Sequence, residues 1–288
     1  MFSIIFTFFS ILLTILSVPF LIYFERRVLG ILQLRYGLFI YFLNAFFIFV
    51  ADFLKLLSKF NVFVFTMNYV FFLFTAIIFV ILSVIILLIF PVLNFKYYLF
   101  FFYPFFFLIV FSFVPFPFSV LIYFSNSVYS FYGNIRSILL LISYEIIFNF
   151  CFILIILCFL LFFFIYSLYN LCFLFFIIFI FYICLLADSS RVPFDFIEGE
   201  SELVSGFSTE LSLVVFLLIF FGEYILLFFF ILLMGFCSNS SFVYFLFLFI
   251  FLRALLVRYF FTFILYLFWF IYLFFLSFFS LILFFIIC

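Results

Sequence analysis

Apolar residues along this chain come in long runs, and the few charged or polar residues fall between them. The runs are apolar on every side, without the alternation of a half-buried strand. A helical bilayer crossing needs about 20 such residues. Eight spans are predicted, at about 2–24, 67–90, 98–124, 137–163, 171–186, 211–234, 237–252 and 262–288. The first stops at Glu25-Arg26-Arg27, the second at Pro91, and the third before the polar stretch SNSVYS. Residues 25–60 carry Arg35, Asp52, Lys55 and Lys59, too many charges to span. They are still apolar enough to lie along the membrane surface as an amphipathic helix. Glu145 and Glu223 fall inside the fourth and sixth spans, and the short seventh ends at Arg253. No internal repeat and no soluble domain is visible, so residues 1–288 read as one transmembrane unit.

The positions of the bases test this count. With eight crossings, the segments 25–66, 125–136, 187–210 and 253–261 share one side of the membrane. They hold nine of the ten bases, leaving only Lys96 opposite. Such asymmetry is what the positive-inside rule expects, and a miscounted span would scatter the bases. Both termini then lie on the side poor in bases. Met1 leads directly into an apolar run with no basic region before it, which reads as a first membrane helix rather than a removed signal.

Composition agrees: 75% of the residues are hydrophobic and 7% are charged, with a mean hydropathy of +1.76. A soluble domain is roughly half apolar and a quarter charged. The fold class is therefore all-α and polytopic, because lipid admits only helices or closed barrels and a barrel would show short alternating strands. The 71 Phe residues read as filler for lipid-facing positions, consistent with an AT-rich coding sequence. The net charge is zero and no basic run exceeds two residues, which gives nucleic-acid binding no support. There is no His, which excludes a His-ligated haem or zinc and any imidazole base. Cys151, Cys158, Cys172, Cys184, Cys237 and Cys288 form no C-x-x-C pair and read as apolar filler rather than cluster ligands. No metal and no tightly bound cofactor is expected in this chain.

One segment breaks the apolar rule. Residues 187–210, ADSSRVPFDFIEGESELVSGFSTE, hold Asp188, Asp195, Glu198, Glu200, Glu202 and Glu210, six of the ten acids, against the single base Arg191. Asp195, Glu198 and Glu202 would share one face if the segment were helical, although Gly199 and Gly206 weaken a helix. Clustered, sheltered carboxylates raise each other's proton affinity and can exchange protons near neutral pH. Acids inside a membrane are functional candidates by default. Spacing alone equally allows a solvated loop and two structurally paired acids.

The same stretch resembles the signature of the subunit-1 family of respiratory complex I, the proton-pumping NADH:ubiquinone oxidoreductase. That pattern is approximately A-E-x-N-R-x-P-F-D-L-x-E-G-E-S-E-L-V-S-G-F-N-x-E-Y. Arg191, Pro193, Phe194, Asp195, the run Glu198–Phe207 and Glu210 all match it. Thirteen residues after Glu210, the family's A-E-Y is Gly222-Glu223-Tyr224 here. ERRVLGILQLRYG at 25–37 resembles E-R-K-x-L-G-x-x-Q-x-R-x-G, and Ala51-Asp52 with Lys55 resembles A-D-x-x-K. SNSVYSFYGNIR followed by SYE, at 125–145, matches a third block, and Arg253-Ala254 with Arg258 opens a fourth. The chain departs from the pattern at Gly37-Leu38-Phe39, where the family has G-P-N. It departs again at Val257 and Phe260-Phe261-Thr262-Phe263, where a proline and R-Y-D-Q are replaced.

The resemblance implies a subunit where the peripheral and membrane arms of the complex meet. It implies ubiquinone as substrate, reaching its reduction site through a channel beside Arg26, Arg27, Arg35, Phe194 and Phe207. Proton coupling would run through Asp188, Asp195, Glu198, Glu200, Glu202, Glu210, Glu223 and Glu145, with Arg136 and Arg191 holding acids in place. The implied partners are other subunits of the complex and lipid, so the chain would not be a free monomer. The implied location is the mitochondrial inner membrane. A secondary transporter, a subunit of a related membrane-bound hydrogenase and a purely structural anchor are the competing readings. Internal repeats would favour the first; the proteins that co-purify would separate all three.

Overall fold

The structure, a computed structural model, describes residues 2–35, 51, 54–55, 58, 69–93, 102–124, 128–162, 168–189, 191, 194, 212–238, 241–256 and 260–287. Among these residues every regular element is helical. The helices are α1 (Phe2–Leu32), α2 (Tyr69–Leu93), α3 (Phe102–Ser112), α4 (Pro115–Phe124), α5 (Val128–Phe162), α6 (Leu168–Asp188), α7 (Leu213–Ser238) and α8 (Phe242–Leu255). The last rod comprises α9 (Phe261–Tyr266), a π-helical turn Leu267–Tyr272 and α10 (Leu273–Ile287). Among the described residues, four stretches are long and apolar enough to cross a bilayer: Val70–Ile89, Phe131–Leu157, Leu213–Gly235 and Phe261–Ser280. Shorter apolar helices cover Phe105–Pro117, Phe176–Asp188 and Val243–Leu255. The protein is a polytopic, all-helical membrane protein.

Several boundaries differ from those read off the sequence, each for a physical reason. The sequence pattern predicts a first span at 2–24 and a surface segment at 25–60, yet α1 continues through Glu25-Arg26-Arg27 to Leu32. Charge does not stop a helix when the charged residue is turned into protein, and Glu25 is buried. What stops α1 is a Schellman turn, in which the Arg35 N–H reaches Gly30 O at 2.9 Å and the Leu34 N–H reaches Ile31 O at 3.1 Å. Leu34 takes the left-handed position of that turn, with φ 53°. Farther on, Ala51, Leu54, Lys55 and Ser58 are helical and exposed.

Helix α5 starts at Val128, within the polar stretch, rather than at 137. Asn134 and Ser137 are buried, so their polarity faces protein and marks no boundary. The expected third span is two helices, interrupted at Phe113-Val114. The N–H groups of Phe113 and Val114 bond back three residues, to Val110 and Phe111, which tightens the last turn of α3. Pro115, lacking an N–H, then opens α4 at the position where none is needed.

Helices α2 and α7 form the most extensive pair, and α5 and α6 the next. Helix α4 bridges α2 and α5, α1 and α8 cover another side of α7, and α10 with the π-helical turn lies on α5. Hydroxyls inside this bundle bond to their own helix: Thr75 to Phe72 O, Ser83 to Val80 O, Ser137 to Asn134 O and Ser143 to Leu140 O. With no water to accept them, this is the local solution.

Aromatic rings run through the largely aliphatic core. Fully buried Phe107 lies 5.2 Å from Phe152, 5.3 Å from Phe229 and 5.8 Å from Phe111, joining α3, α5 and α7. Phe111 and Phe148 stack at 4.4 Å, and Phe148 continues to Phe181 on α6 at 5.0 Å. Other rings, among them Phe71, Phe74, Phe150 and Phe270, point outward, where lipid accepts them. Lipid is as apolar as this core, so burying Phe107 gains packing rather than release from water. Phe107→Ala is therefore expected to cost only the cavity part of a large-to-small change, about 2 kcal/mol. Heat denaturation of the detergent-solubilised protein, followed by tryptophan fluorescence, measures it.

Candidate functional site

Helix α7 carries Gly222, Glu223 and Tyr224 in succession, and successive side chains on a helix point about 100° apart. The three residues accordingly face three different neighbours. A Cβ added to Gly222 would meet the ring of Phe79 on α2 at 2.6 Å, so this glycine is what lets that ring lie against α7. Glu223 faces Arg191, whose guanidinium approaches its carboxylate at 3.7 Å. Tyr224 points toward α1, and its hydroxyl donates to Glu25 Oε2 at 2.8 Å.

Arg191 reaches α7 from just beyond α6. Ser189 closes that helix, its N–H bonding Leu185 O and its hydroxyl bonding Leu186 O. Beyond it, the Phe194 N–H bonds Arg191 O at 2.7 Å. The guanidinium lies over the Tyr224 ring at 4.6 Å and the Phe220 ring at 5.6 Å. A cation over aromatic faces that are themselves removed from water is held there favourably.

Beside this pair lies a cavity with about 710 Å³ of empty space, part of it open to the exterior. Phe79, Tyr144, Asp188, Ser189, Phe194 and Glu223 are among its lining residues. Glu145 follows the lining residue Tyr144 on α5. The structure thus brings three of the sequence-derived acids to one region: Glu145 from α5, Asp188 from the end of α6 and Glu223 from α7. Phe194, grouped by the sequence reading with the quinone channel, is buried in this cavity beside the acids. The Tyr144 ring packs on Phe268 of the π-helical turn at 4.8 Å.

The remaining expected residues fall elsewhere. Arg26 and Arg27 lie toward the surface of α1, and Arg27 donates to the Tyr23 hydroxyl at 2.9 Å. Arg35 is exposed beyond the end of α1 and bonds Gln33 Oε1. Arg136 lies over the Phe261 ring at 5.9 Å. Asp195, Glu198, Glu200, Glu202, Phe207 and Glu210 lie outside the described residues. Among the described residues no group of His, Cys, Asp and Glu could hold a metal ion.

A second polar junction was not singled out from sequence. Glu25 is buried on the inward face of α1 with Val18 and Ile22, following the i, i+4, i+7 pattern. It forms an ion pair with Arg253 near the end of α8 and accepts the Tyr224 hydrogen bond. The one available signal was an acid set at the close of an apolar run. Its partners are 199 and 228 residues away, beyond the reach of any spacing rule.

The chain is similar to known proteins along most of its length. A 232-residue region is 33% identical to "NADH-ubiquinone oxidoreductase chain 1" of Aedes aegypti, covering 75% of this chain and 71% of that one. The protein of the same name from Locusta migratoria is 34% identical over 224 residues, 74% of this chain and 70% of that one. Its namesake from Artemia franciscana is 32% identical over 257 residues, 83% of each chain. The family described as NADH dehydrogenase matches residues 4–285, nearly the whole sequence. With a match of that extent and a fold of packed apolar helices that partly enclose acids, this chain belongs to the NADH dehydrogenase family.

Proposed function

We propose that this chain is the membrane subunit of an NADH:ubiquinone oxidoreductase that lines the quinone channel and links quinone reduction to proton translocation. The observation that carries the reading is the meeting of Asp188 and Glu223 at one cavity, Glu223 paired with Arg191, with Glu145 next along α5 from the lining residue Tyr144. Acids are costly at such depth unless they serve a purpose, and here they meet within one bundle. The names of the three relatives described above, each an NADH-ubiquinone oxidoreductase chain 1, support the substrate.

Quinone reduction takes up two electrons and two protons, and the electrons would come from partner subunits. The apolar walls of the channel suit an isoprenoid tail, while Arg26, Arg27 and Arg35 on the basic side would guide the head group. Charge changes there would be felt by Asp195, Glu198, Glu200, Glu202 and Glu210, and passed to Asp188, Glu223 and Glu145. Arg191, paired with Glu223, would set how readily that acid takes a proton. Eight crossings, with nine of the ten bases on one face, complete the topology, and the mitochondrial inner membrane is the expected location.

Glu223→Gln tests this function. In the assembled complex, electron transfer from NADH to quinone should persist while protons moved per quinone reduced fall severalfold, measured with a pH-sensitive dye in sealed vesicles. An assembled complex pumping at the normal ratio would refute the coupling role.

A further inference from the structure

Two polar junctions meet at one side chain. Tyr224 receives the Arg191 guanidinium over its ring, at 4.6 Å, and donates its hydroxyl hydrogen bond to Glu25, at 2.8 Å. Glu25 in turn is paired with Arg253. The series Glu223, Arg191, Tyr224, Glu25, Arg253 therefore runs unbroken across the α6–α7 connection and helices α7, α1 and α8. Glu25 is followed directly by Arg26 on α1.

The geometry needs explaining, because gluing α1 to α8 would require only the ion pair. Tyr224 adds a directional bond from the helix that carries Glu223. It is also nearly fully buried, as is Glu25, so neither contact is diluted by solvent. A carboxylate fixed by both a guanidinium and a hydroxyl cannot rotate or slide along the helix axis without breaking one of them. Helix α1 is thereby locked in register with Glu223, and Arg26, one residue on, shares that lock.

We propose that Tyr224, with Glu25 and Arg253, is a positioning device: it ties the helix bearing Arg26 to the Arg191–Glu223 pair. A shift of α1 on quinone arrival is then transmitted to that pair through the ring on which Arg191 rests. The inference deepens the proposed function and rests on it. Tyr224 touches neither quinone nor a translocated proton in this scheme; it acts through Arg191.

The informative change is Tyr224→Phe, which keeps the ring beneath Arg191 and deletes the hydroxyl bonded to Glu25. In the assembled complex it should leave NADH oxidation by a soluble artificial acceptor unchanged. It should raise the KM for a short-chain ubiquinone more than it lowers kcat, and lower the proton-to-electron ratio by about half. Normal KM and ratio in Tyr224→Phe, with Glu223→Gln still suppressing pumping, would overturn the positioning device and leave the proposed function standing. Normal ratios in both variants would overturn the two together. Should Tyr224→Phe not assemble, Arg253→Lys keeps the charge while losing the planar fork. It is expected to show the same split, and a native KM and ratio there would equally overturn the inference.

Discussion

Replacing Arg253 by Met is expected to cost the bundle about 3–5 kcal/mol, the usual loss when one partner of a buried ion pair is removed. The side chains of Arg253 and Glu25 are 20% and 9% exposed, so solvent screens the pair little. Without Arg253, the Glu25 carboxylate keeps the Tyr224 hydroxyl but loses its counter-charge, inside a bundle whose outer face is lipid. The cost has a ceiling, because Glu25 can escape it by taking up a proton. Heat-induced dissociation of the assembled complex, read on native gels, measures the loss. The double variant Glu25→Gln with Arg253→Met removes both charges and should regain most of the lost stability. If the single variant is as stable as the native chain, Glu25 is not the buried anion described here. The double variant also separates adhesion from positioning: restored stability with an abnormal quinone KM assigns the junction more than a structural role.

Gly222→Val is expected to destabilise the α2–α7 seam by about 3 kcal/mol, the upper end for overpacking a filled interior. Even a single added carbon would stand 2.6 and 2.7 Å from two atoms of the Phe79 ring, a separation side chains do not tolerate. Phe79 is itself buried, and the open space next to it is the cavity it shares with Glu223 and Asp188. The displaced ring would therefore swing into that cavity, so the change acts on the acids as well as on stability. Phe79→Leu in the same chain should relieve the clash and restore the melting temperature. A valine variant that melts with the native chain would show that the two helices do not approach as closely as described.

The position of Gly222 illustrates what could and could not be read from one dimension. The related pattern has Ala there, and the sequence offered no reason for Gly. The reason is a ring on another helix, well over a hundred residues earlier, that fills the space a methyl group would need. Likewise Asn134 and Ser137 read as part of a boundary because polarity near the end of an apolar run normally means water. In the fold they face protein, and α5 extends through them. Glu25 shows the same effect: the sequence pattern predicts its charge at the membrane surface, whereas a guanidinium and a hydroxyl from two distant helices receive it inside.

The regions rich in acids were legible because charge in so apolar a chain is costly and hence conspicuous. Their grouping was not. Glu145, Asp188 and Glu223 lie on three helices, and nothing in their spacing says that these helices surround one cavity. Phe194 could be assigned a neighbourhood only by resemblance, and the fold sets it beside Asp188 and Glu223 at the cavity.

By itself, then, the sequence determined that the chain is helical and crosses the bilayer several times, since lipid offers the backbone of so apolar a polymer no other way to satisfy its hydrogen bonds. It also determined which residues were chemically expensive and so worth watching. Only the tertiary structure decided which of those residues meet: Arg191 with Glu223, Arg253 with Glu25, and Tyr224 between the two pairs. Partner choice among buried charges depends on which faces of distant helices pack together. Packing among helices that are apolar all round is set by shape, which no local pattern of hydrophobic and polar positions encodes.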